Sequence, residues 1–397
     1  MTEIPRFPMR RAEKCPFDPP PQLRDLQRDA PLVRVRLWNG STPWLVTRHA
    51  EQRALLSDPR LSADLRRPGY PHMVEAGPEA GFSFILMDDP EHARLRRMVT
   101  APLTTRRAQA LRPVTQEIVD GLIDDLLAGP KPVDLVEAFA LPVPSLVICR
   151  LLGVPYEDHG FFQANSRILI KHDVTFDERA QAGLRITQYL GRLMARKTAD
   201  PGDDLLSELA QRVAAGELAE AEAMQMGVLI LLAGHETTTN MIALGTLALL
   251  EHPGQLAALR AGDAELTVSA VEELLRYLTI THQGLRRVAT EDIEIAGLTV
   301  RAGEGVVLDQ ATGNRDPDAF PGDPDRLDLR RDARRHVAFG YGVHQCLGQQ
   351  LARMELQVVL GTLYRRIPTL RAAVGLEEIP FKEDGLVYGV YELPVAW

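Results

Sequence analysis

One cysteine stands in a glycine-rich loop just before a helix-like run, and this position favours a reactive thiolate. Residues 339–349 read FGYGVHQCLGQ, and QLARMELQVVL follows. A sulfur at the start of a helix lies near backbone N–H groups and the positive end of the helix dipole, which favour thiolate. Cys346 therefore has three interpretations: a buried structural cysteine, a nucleophile activated by His344, or a thiolate ligand to haem iron.

Two further pairs of polar residues have helical spacing. His92 and Arg96 are i and i+4, so both lie on one helix face and could bind a carboxylate. Glu273 and Arg276 are i and i+3 and could form an ion pair. Taken alone, each pair is also explained by a solvated surface charge pair.

A long apolar stretch contains an acid beside a hydroxyl. Residues 224–250, MQMGVLILLAGHETTTNMIALGTLALL, have the length of a membrane span. A charged residue near the middle of a span costs roughly 2.5–3.5 kcal/mol, so Glu236 argues for a buried helix of a large domain instead. Polar groups in such a helix are costly unless they are hydrogen-bonded or used. Glu236 and Thr237 are therefore interpreted as functional.

Composition limits the possible classes of protein. The chain has 397 residues, of which 45% are hydrophobic and 25% charged, and its formal net charge of -9 argues against general nucleic-acid binding. Cys15, Cys149 and Cys346 are too widely spaced for a disulfide framework or a zinc cluster. The N-terminal segment has no apolar run typical of a signal peptide or membrane anchor. A soluble cytoplasmic protein is expected.

The elements that must position these residues are mostly helical. Strand signals in PLVRVRL and PWLVTR are followed by helical patterns from about 90 to 260, and short strands return in IEIAGLTV and GEGVVL. No repeat or linker marks a boundary. We expect one mainly α domain over 1–397 with small peripheral β-sheets. Its β-containing part covers about 1–80, and its helical core and cysteine loop cover about 81–397.

The cysteine loop resembles the haem-binding loop of the cytochrome P-450 superfamily, Phe-x-x-Gly-x-(basic)-x-Cys-x-Gly. The matching residues are Phe339, Gly342, His344, Cys346 and Gly348. HARLR, AGHETT, EELLR and GLRRVATED resemble further family motifs, occur in the family's order and span most of the chain. The resemblance implies the cytochrome P-450 fold and a haem-thiolate monooxygenase, similar to soluble actinobacterial members that oxidise natural products.

The resemblance also implies the cofactor site. Cys346 would be the metal ligand, and the haem propionates would be held by His92, Arg96, Arg287 and His344. Ala233, with Gly234, would leave room for dioxygen, and Glu236 and Thr237 would deliver protons during its activation. No C-x-x-C-H motif occurs, so non-covalent haem b is expected.

A structural triad is implied as well. In the family, the E-x-x-R pair joins an arginine from a downstream proline-rich loop, which here would be Arg326 of PDRL. The usual phenylalanine after that arginine is Leu327, a mild departure. Glu273, Arg276 and Arg326 would then hold the long loop beneath the haem, and their role would be in folding.

The resemblance implies O2 as co-substrate and electrons from NAD(P)H delivered by separate proteins, a ferredoxin and a ferredoxin reductase. We expect a monomer without a membrane anchor. We hypothesise that part of the RRDARRH run docks an acidic ferredoxin by electrostatic steering, although a solvated charged loop explains the run equally well. The run contains Arg330, Arg331, Arg334, Arg335 and His336.

The substrate is expected to be bulky and hydrophobic. Hydroxylation of a macrolide or other polyketide in antibiotic biosynthesis is the first expectation, and a terpenoid or steroid-like substrate comes next. His282 and Lys171 are the polar residues of interest near the pocket. By resemblance, the residues that contact substrate are Phe84, Ile85, Leu86, Leu229, Ala233, His282, Leu386 and Val387.

Two other classes of protein remain open from the residues alone. A haem-binding sensor without turnover would have little need of Glu236 and Thr237. A cysteine-dependent hydrolase would use Cys346 with His344, but no third group that would orient the histidine is evident.

Overall fold

The structure, a computed structural model, describes residues 3–12, 15–73, 83–170, 174–383 and 387–397. Within them the helices are α1 (Pro21–Asp29), α2 (His49–Leu56), α3 (Glu91–Thr100), α4 (Thr105–Ala110), α5 (Arg112–Ala128), α6 (Pro142–Leu152), α7 (His159–Ile170), α8 (Phe176–Ala199), α9 (Leu205–Ala214), α10 (Glu220–Glu251), α11 (Pro253–Ala261), α12 (Ala264–Leu278), α13 (Gln310–Gly313) and α14 (Gln349–Arg366). The strands are β1 (Leu32–Arg34), β2 (Trp44–Val46), β3 (Leu61–Ser62), β4 (Val133–Asp134), β5 (Leu285–Ala289), β6 (Ile293–Ile295), β7 (Leu298–Val300), β8 (Gly305–Leu308), β9 (Arg371–Ala372) and β10 (Pro394–Ala396).

Packing divides the chain into two compact units, each built from three separate segments. The first unit contains Met1–Ala93, Glu251–Leu347 and Phe381–Tyr388. The second contains Arg94–Leu250, Gly348–Pro380 and Gly389–Trp397. Each unit therefore joins stretches that are far apart in the sequence.

The first unit is organised around a five-stranded sheet of order β1-β2-β8-β5-β3. Its strands come from both the first seventy residues and the 285–308 region, and β2 pairs with β8 in parallel, with Val46 opposite Leu308. Alternating apolar residues of these strands pack against Leu55 and Leu56 of α2 in one buried cluster. The sheet therefore fixes the position of α2, on which the cysteine loop packs.

The predicted stretch IEIAGLTV is a hairpin of two strands, β6 and β7. Its two central residues, Ala296 and Gly297, both have positive φ, of 50° and 75°. Two consecutive left-handed residues form the type I′ turn that matches the twist of antiparallel strands.

The second unit is mainly helical, and local sequence explains where its helices begin. Thr175 and Glu178 form a capping box at α8, and the Asp204 side chain accepts a hydrogen bond from the Ser207 N–H at α9. α5 packs on α6 and α14, α8 packs on α7 and α9, and β4, β10 and β9 form an antiparallel sheet. Cys149 of α6 is 1% exposed and therefore belongs to the core.

The apolar stretch predicted as one long helix is α10, which extends a little beyond the prediction at both ends. Within the described residues, no helix is both long and apolar enough to cross a membrane. Thr238, Thr239 and Asn240 are buried, whereas Ala233 in the middle of the helix is exposed and Glu236 and Thr237 are half-buried.

Candidate active site

Short backbone hydrogen bonds fold the cysteine loop tightly. The Cys346 N–H donates to the Phe339 carbonyl at 2.8 Å, and the Gln345 N–H donates to the Gly342 carbonyl at 3.0 Å. The Cys346 side chain is exposed. The residue lies in the loop shortly before Gln349, at which α14 begins. Cys149, by contrast, is buried in α6, and burial raises its pKa to about 12. Of these two cysteines, the loop cysteine is the one accessible to a ligand.

The base of the loop is held by side chains from neighbouring elements of the same unit. Asn314 accepts a hydrogen bond from the Val337 N–H through Oδ1 at 2.7 Å, and Gln310 donates to the Val337 carbonyl. From α2, Arg53 donates to the Tyr341 hydroxyl at 2.8 Å and lies over the Tyr341 ring. These residues could not be identified from the sequence, because they belong to no motif and contact the loop only in the folded chain.

The glycine at position 342 is required by the protein itself. Gly342 has φ of +72°, and a Cβ there would lie 2.2 Å from the Leu56 carbonyl oxygen of α2. A Cβ on Gly348, by contrast, would meet nothing within 4 Å.

The first unit also places two predicted propionate ligands beside each other. The rings of His92 and His344 have their centroids 4.1 Å apart. His92 is 2% exposed, and its Nδ1 hydrogen-bonds to Asp89 at 3.0 Å. Among the described residues, its Nε2 has no hydrogen-bond partner. That buried nitrogen is free to contact an anionic group.

Arg287 of β5 is a buried cation. Its guanidinium donates to the carbonyl of Arg286 at 2.7 Å, and within the described part of the chain it forms no ion pair. Burial lowers the pKa of Arg287, because desolvation disfavours the charged form, and charges on Tyr70 and Asp88 oppose this effect. An additional anion at Arg287 would stabilise the charged form.

These observations test whether the chain fits a haem. A haem would need one protein ligand for its iron and cationic or N–H donors for two carboxylates. The first unit supplies an exposed thiol, the Nε2 atom of His92 and the buried guanidinium of Arg287. Among the described residues, no group of three His, Cys, Asp or Glu could hold a metal ion by protein ligands alone. The residues present fit haem.

In the second unit, side chains bind the backbone of α10 around the predicted acid–alcohol pair. The Thr237 hydroxyl donates to the Ala233 carbonyl at 2.7 Å, and Asn240 donates to the Glu236 carbonyl at 2.9 Å. A Cβ on Gly234 would lie 2.9 Å from Ile148 of α6. The small size of Gly234 is therefore explained by helix packing, and the proposal of space for dioxygen now depends on the exposed Ala233. Arg96 of α3 is half-buried.

The predicted ion pair between Glu273 and Arg276 is present and fully buried. Arg276 Nε and Nη2 donate to the two carboxylate oxygens of Glu273 at 2.7 and 2.8 Å. Arg276 Nη1 donates to the carbonyls of Asn314 and Pro324, both at 2.8 Å. The pair therefore ties α12 to the long loop.

The prediction that Arg326 completes the triad is wrong. Arg326 is exposed, and the arginine that contacts Glu273 is Arg331, with Nε 3.4 Å from Oε1. Arg331 also donates to the carbonyls of Pro321 and Asp323, so it ties the loop to Glu273. The loop path places residue 331, not residue 326, against Glu273.

Two residues of the RRDARRH run make contacts within the protein. Arg331 is engaged with Glu273, and His336 is buried with its Nε2 3.2 Å from Glu272. His336 is therefore inaccessible to a partner, whereas Arg331 is half-buried. Arg330, Arg334 and Arg335 are exposed.

Arg331→Ala is expected to lower the free energy of unfolding by about 3 kcal/mol, because it leaves part of a buried carboxylate uncompensated. Arg326→Ala is the matched control and should change stability by less than about 0.5 kcal/mol, because that side chain is exposed. Urea denaturation followed by circular dichroism measures both. Equal losses in the two variants would contradict the assignment of Arg331.

The predicted substrate contacts in the first unit belong to two segments. Phe84, Ile85 and Leu86 form a short 3-10 turn in which Phe84 is buried and Ile85 is exposed. Val387 forms an isolated β-bridge with Thr281, next to the half-buried His282. In the second unit, Leu229 of α10 is half-buried. Leu386 and Lys171 lie outside the described residues.

A mostly helical chain that exposes a loop cysteine near buried donors for carboxylates has the construction of a haem-thiolate protein. Comparison with known proteins agrees. The family model described as Cytochrome P450 matches residues 31–368, and the chain belongs to the cytochrome P450 family. It is a cytochrome P450 monooxygenase of mainly α fold, and the comparisons give no support to a sensor or a hydrolase.

Several relatives match over nearly their whole length. Cytochrome P450 GfsF of Streptomyces halstedii is 57% identical, covering 100% of this chain and 97% of the relative. The crystal structure of GfsF has a TM-score of 0.96 and covers 99% of this chain and 100% of that chain. The 20-oxo-5-O-mycaminosyltylactone 23-monooxygenase of Streptomyces fradiae is 44% identical, covering 97% of this chain and 91% of the relative.

A further solved structure contains a bound substrate. It is the mycinamicin VIII C21 methyl hydroxylase MycCI of Micromonospora griseorubida bound to mycinamicin VIII. MycCI is 41% identical with a TM-score of 0.90, and the match covers 99% of this chain and 100% of that chain.

Proposed function

We propose that this cytochrome P450 hydroxylates a bulky macrolide natural product, with haem b ligated by Cys346. One observation gives the main support for the cofactor assignment. In a single unit, the exposed loop cysteine occurs with a buried histidine nitrogen that lacks a partner among the described residues and with a buried arginine. When bound, the haem supplies the activation of dioxygen and the attack on an unactivated carbon.

The chain's own residues bind, orient and move protons. Cys346 would ligate the iron, and His92, Arg96, Arg287 and His344 would hold the propionates. The Thr237 hydroxyl donates its hydrogen bond to the Ala233 carbonyl. Its oxygen lone pairs can therefore accept a further hydrogen bond. Glu236, adjacent in the chain and half-buried, is the group that we assign to proton uptake from solvent.

The substrate class is supported by two relatives. One is crystallised with mycinamicin VIII, and the other acts on a lactone that carries a mycaminosyl group, as its name states. Natural products such as macrolides and terpenoids are the substrates found among the relatives. The first unit contributes the apolar Phe84, Ile85 and Val387 and the polar His282, in keeping with an apolar pocket that has a few polar anchors.

A spectral and product screen tests this function. Purified protein is titrated with macrolide lactones, terpenoids and steroids, and the shift of the ferric Soret band towards its high-spin position is recorded. Turnover with NAD(P)H, ferredoxin and reductase then follows under isotopically labelled dioxygen. A macrolide should give the tightest spin shift and a product that carries one labelled oxygen atom.

Each alternative outcome has a definite meaning. Tighter binding and turnover of a terpenoid or steroid would replace the macrolide by the second substrate class. A reduced, CO-bound spectrum without the red-shifted Soret band of thiolate haem would remove the cofactor assignment itself.

We also propose that a ferredoxin, reduced by NAD(P)H through a ferredoxin reductase, supplies the electrons in the cytoplasm. The odd number and wide spacing of Cys15, Cys149 and Cys346 in the sequence support a reducing compartment. Support for docking near the cysteine loop comes from Val343, an apolar residue that is 58% exposed within that loop. Arg334 and Arg335, both exposed, lie on the segment that leads into it.

Charge reversal of Arg334 and Arg335 to glutamate is expected to raise the apparent KM for ferredoxin about tenfold at low salt and to weaken its salt dependence. The CO-bound spectrum and the substrate spin shift should not change. The matched control reverses Arg260 and Arg301, two exposed arginines of the same unit. An unchanged ferredoxin KM and salt dependence would contradict docking at this segment.

A further inference from the structure

Arg11, in the N-terminal segment of the first unit, is a buried cation with an unusual set of partners. It is 6% exposed, and its Nη1 donates to the carbonyls of Pro16 and Asp18 at 3.3 and 3.2 Å. Its Nε has no hydrogen-bond partner among the described residues. Burial is the largest influence on Arg11 and lowers its pKa. Two backbone carbonyls compensate only part of this desolvation.

The remaining contact of Arg11 is an aromatic face. The guanidinium carbon lies 3.8 Å from the centroid of the Tyr388 ring. Tyr388 is 1% exposed, so this cation–π contact is desolvated and is stronger than one on the surface. Because carbonyls of residues 16 and 18 fix one end of the guanidinium, Arg11 in turn fixes the position of the ring.

The Tyr388 ring lies against a predicted substrate contact. Its centroid is 5.5 Å from that of His282, with the planes 29° apart, and 5.9 Å from that of Phe381, with the planes 9° apart. The Tyr388 N–H donates to the Ile280 carbonyl at 2.8 Å, and His282 Nε2 hydrogen-bonds to the Glu383 carbonyl at 2.8 Å. Residues 280–282 are thus joined to the C-terminal segment through Tyr388.

Val387 is part of the same arrangement. It forms the β-bridge with Thr281, one residue before the ring that Arg11 holds. A displacement of Tyr388 would therefore move both Val387 and His282. Val387 and His282 are two of the residues proposed to line the substrate pocket, and both are connected to Arg11 through Tyr388. These two residues are called the wall below.

We propose that Arg11 is a positioning residue for substrate selectivity: it holds Tyr388, and through Tyr388 the wall formed by His282 and Val387. This inference rests on the proposed function, because His282 and Val387 are assigned to the substrate pocket there. Arg11 itself contacts neither the cysteine loop nor the histidines assigned to the propionates, among the contacts that the structure describes. Its loss should change the fit of large ligands and leave haem binding intact.

The test compares ligands of two sizes that both bind ferric haem iron. Arg11→Gln is prepared with Arg11→Lys, which keeps the charge above the ring, and with Arg10→Gln, the exposed neighbour, as the matched control. Imidazole and ketoconazole are titrated by the shift of the Soret band. In Arg11→Gln, ketoconazole should bind about tenfold more weakly, because ligand binding must then order the wall that the cation–π contact held in advance, whereas imidazole should change less than about twofold.

Hydrogen exchange gives a reading that is independent of the cofactor. The Tyr388 amide, which donates to Ile280, should exchange faster in Arg11→Gln and at the native rate in Arg10→Gln. Arg11→Lys should fall between wild type and Arg11→Gln in both measurements. If Arg11→Gln does not fold, Arg11→Lys alone decides.

Two outcomes overturn the inference. If ketoconazole affinity and Tyr388 exchange are unchanged, Arg11 does not position the wall, and the proposed function stands. If imidazole and ketoconazole weaken in parallel, the role of Arg11 is general stability. A wild-type protein that binds neither azole and lacks the thiolate-haem spectrum would instead reject the proposed function, and this inference with it.

Discussion

Replacing Cys346 with serine is expected to abolish the red-shifted Soret band of the reduced, CO-bound protein and to lower monooxygenase turnover by at least about a hundredfold. Serine keeps the size of the side chain and the loop fold, but its hydroxyl is not ionised at neutral pH and cannot donate electron density as a thiolate does. The expected defect is therefore electronic. Product formation with NAD(P)H, ferredoxin and reductase measures it.

Cys149→Ser is the matched control for this substitution. Cys149 is 1% exposed in α6, so serine there buries a new hydroxyl and should lower stability without removing the thiolate spectrum. Cys15→Ser should keep the spectrum as well. Retention of the thiolate band in Cys346→Ser, or its loss in Cys149→Ser, would contradict the assignment of the ligand.

The contrast between these cysteines shows what the sequence could predict. The loop around Cys346 is a contiguous motif, so its fold depends on hydrogen bonds between residues only a few positions apart, such as Cys346 to Phe339. Glu273 and Arg276 share one helix face, and their ion pair follows from helix geometry. α10 was also predictable, because a long apolar stretch with a charged residue near its middle forms a buried helix of a large domain.

Features that depend on the path of a loop or on distant packing could not be predicted in this way. Residues 326 and 331 are both arginines of one irregular loop, and only its three-dimensional path decides which one reaches Glu273. The need for glycine at 342 comes from the Leu56 carbonyl in another element, and the small size of Gly234 from Ile148. Arg11 belongs to no motif, and its contact with Tyr388 joins the two ends of the chain.

The second large effect concerns proton delivery in α10. Thr237→Ala is expected to keep haem binding and the CO-bound spectrum but to divert most reducing equivalents into hydrogen peroxide, because no hydroxyl remains to accept the hydrogen bond that guides the proton. We expect the ratio of product formed to NAD(P)H consumed to fall about tenfold, less than the roughly 10²–10⁴-fold of a full general acid–base contribution, because water can still supply protons. Peroxide and product are quantified together with NAD(P)H consumption.

The same helix contains a control that separates chemistry from helix geometry. Thr239 donates its hydroxyl to the His235 carbonyl at 2.8 Å, the same i-to-i−4 bond that Thr237 makes to Ala233 at 2.7 Å. Thr239 is 1% exposed, whereas Thr237 is half-buried.

If the backbone bond alone mattered, alanine at either position would uncouple turnover equally. Only Thr237→Ala should do so, and Thr237→Ser should restore coupling, because serine returns the hydroxyl. Coupled turnover in Thr237→Ala, or equal uncoupling in Thr239→Ala, would remove Thr237 from the proton path.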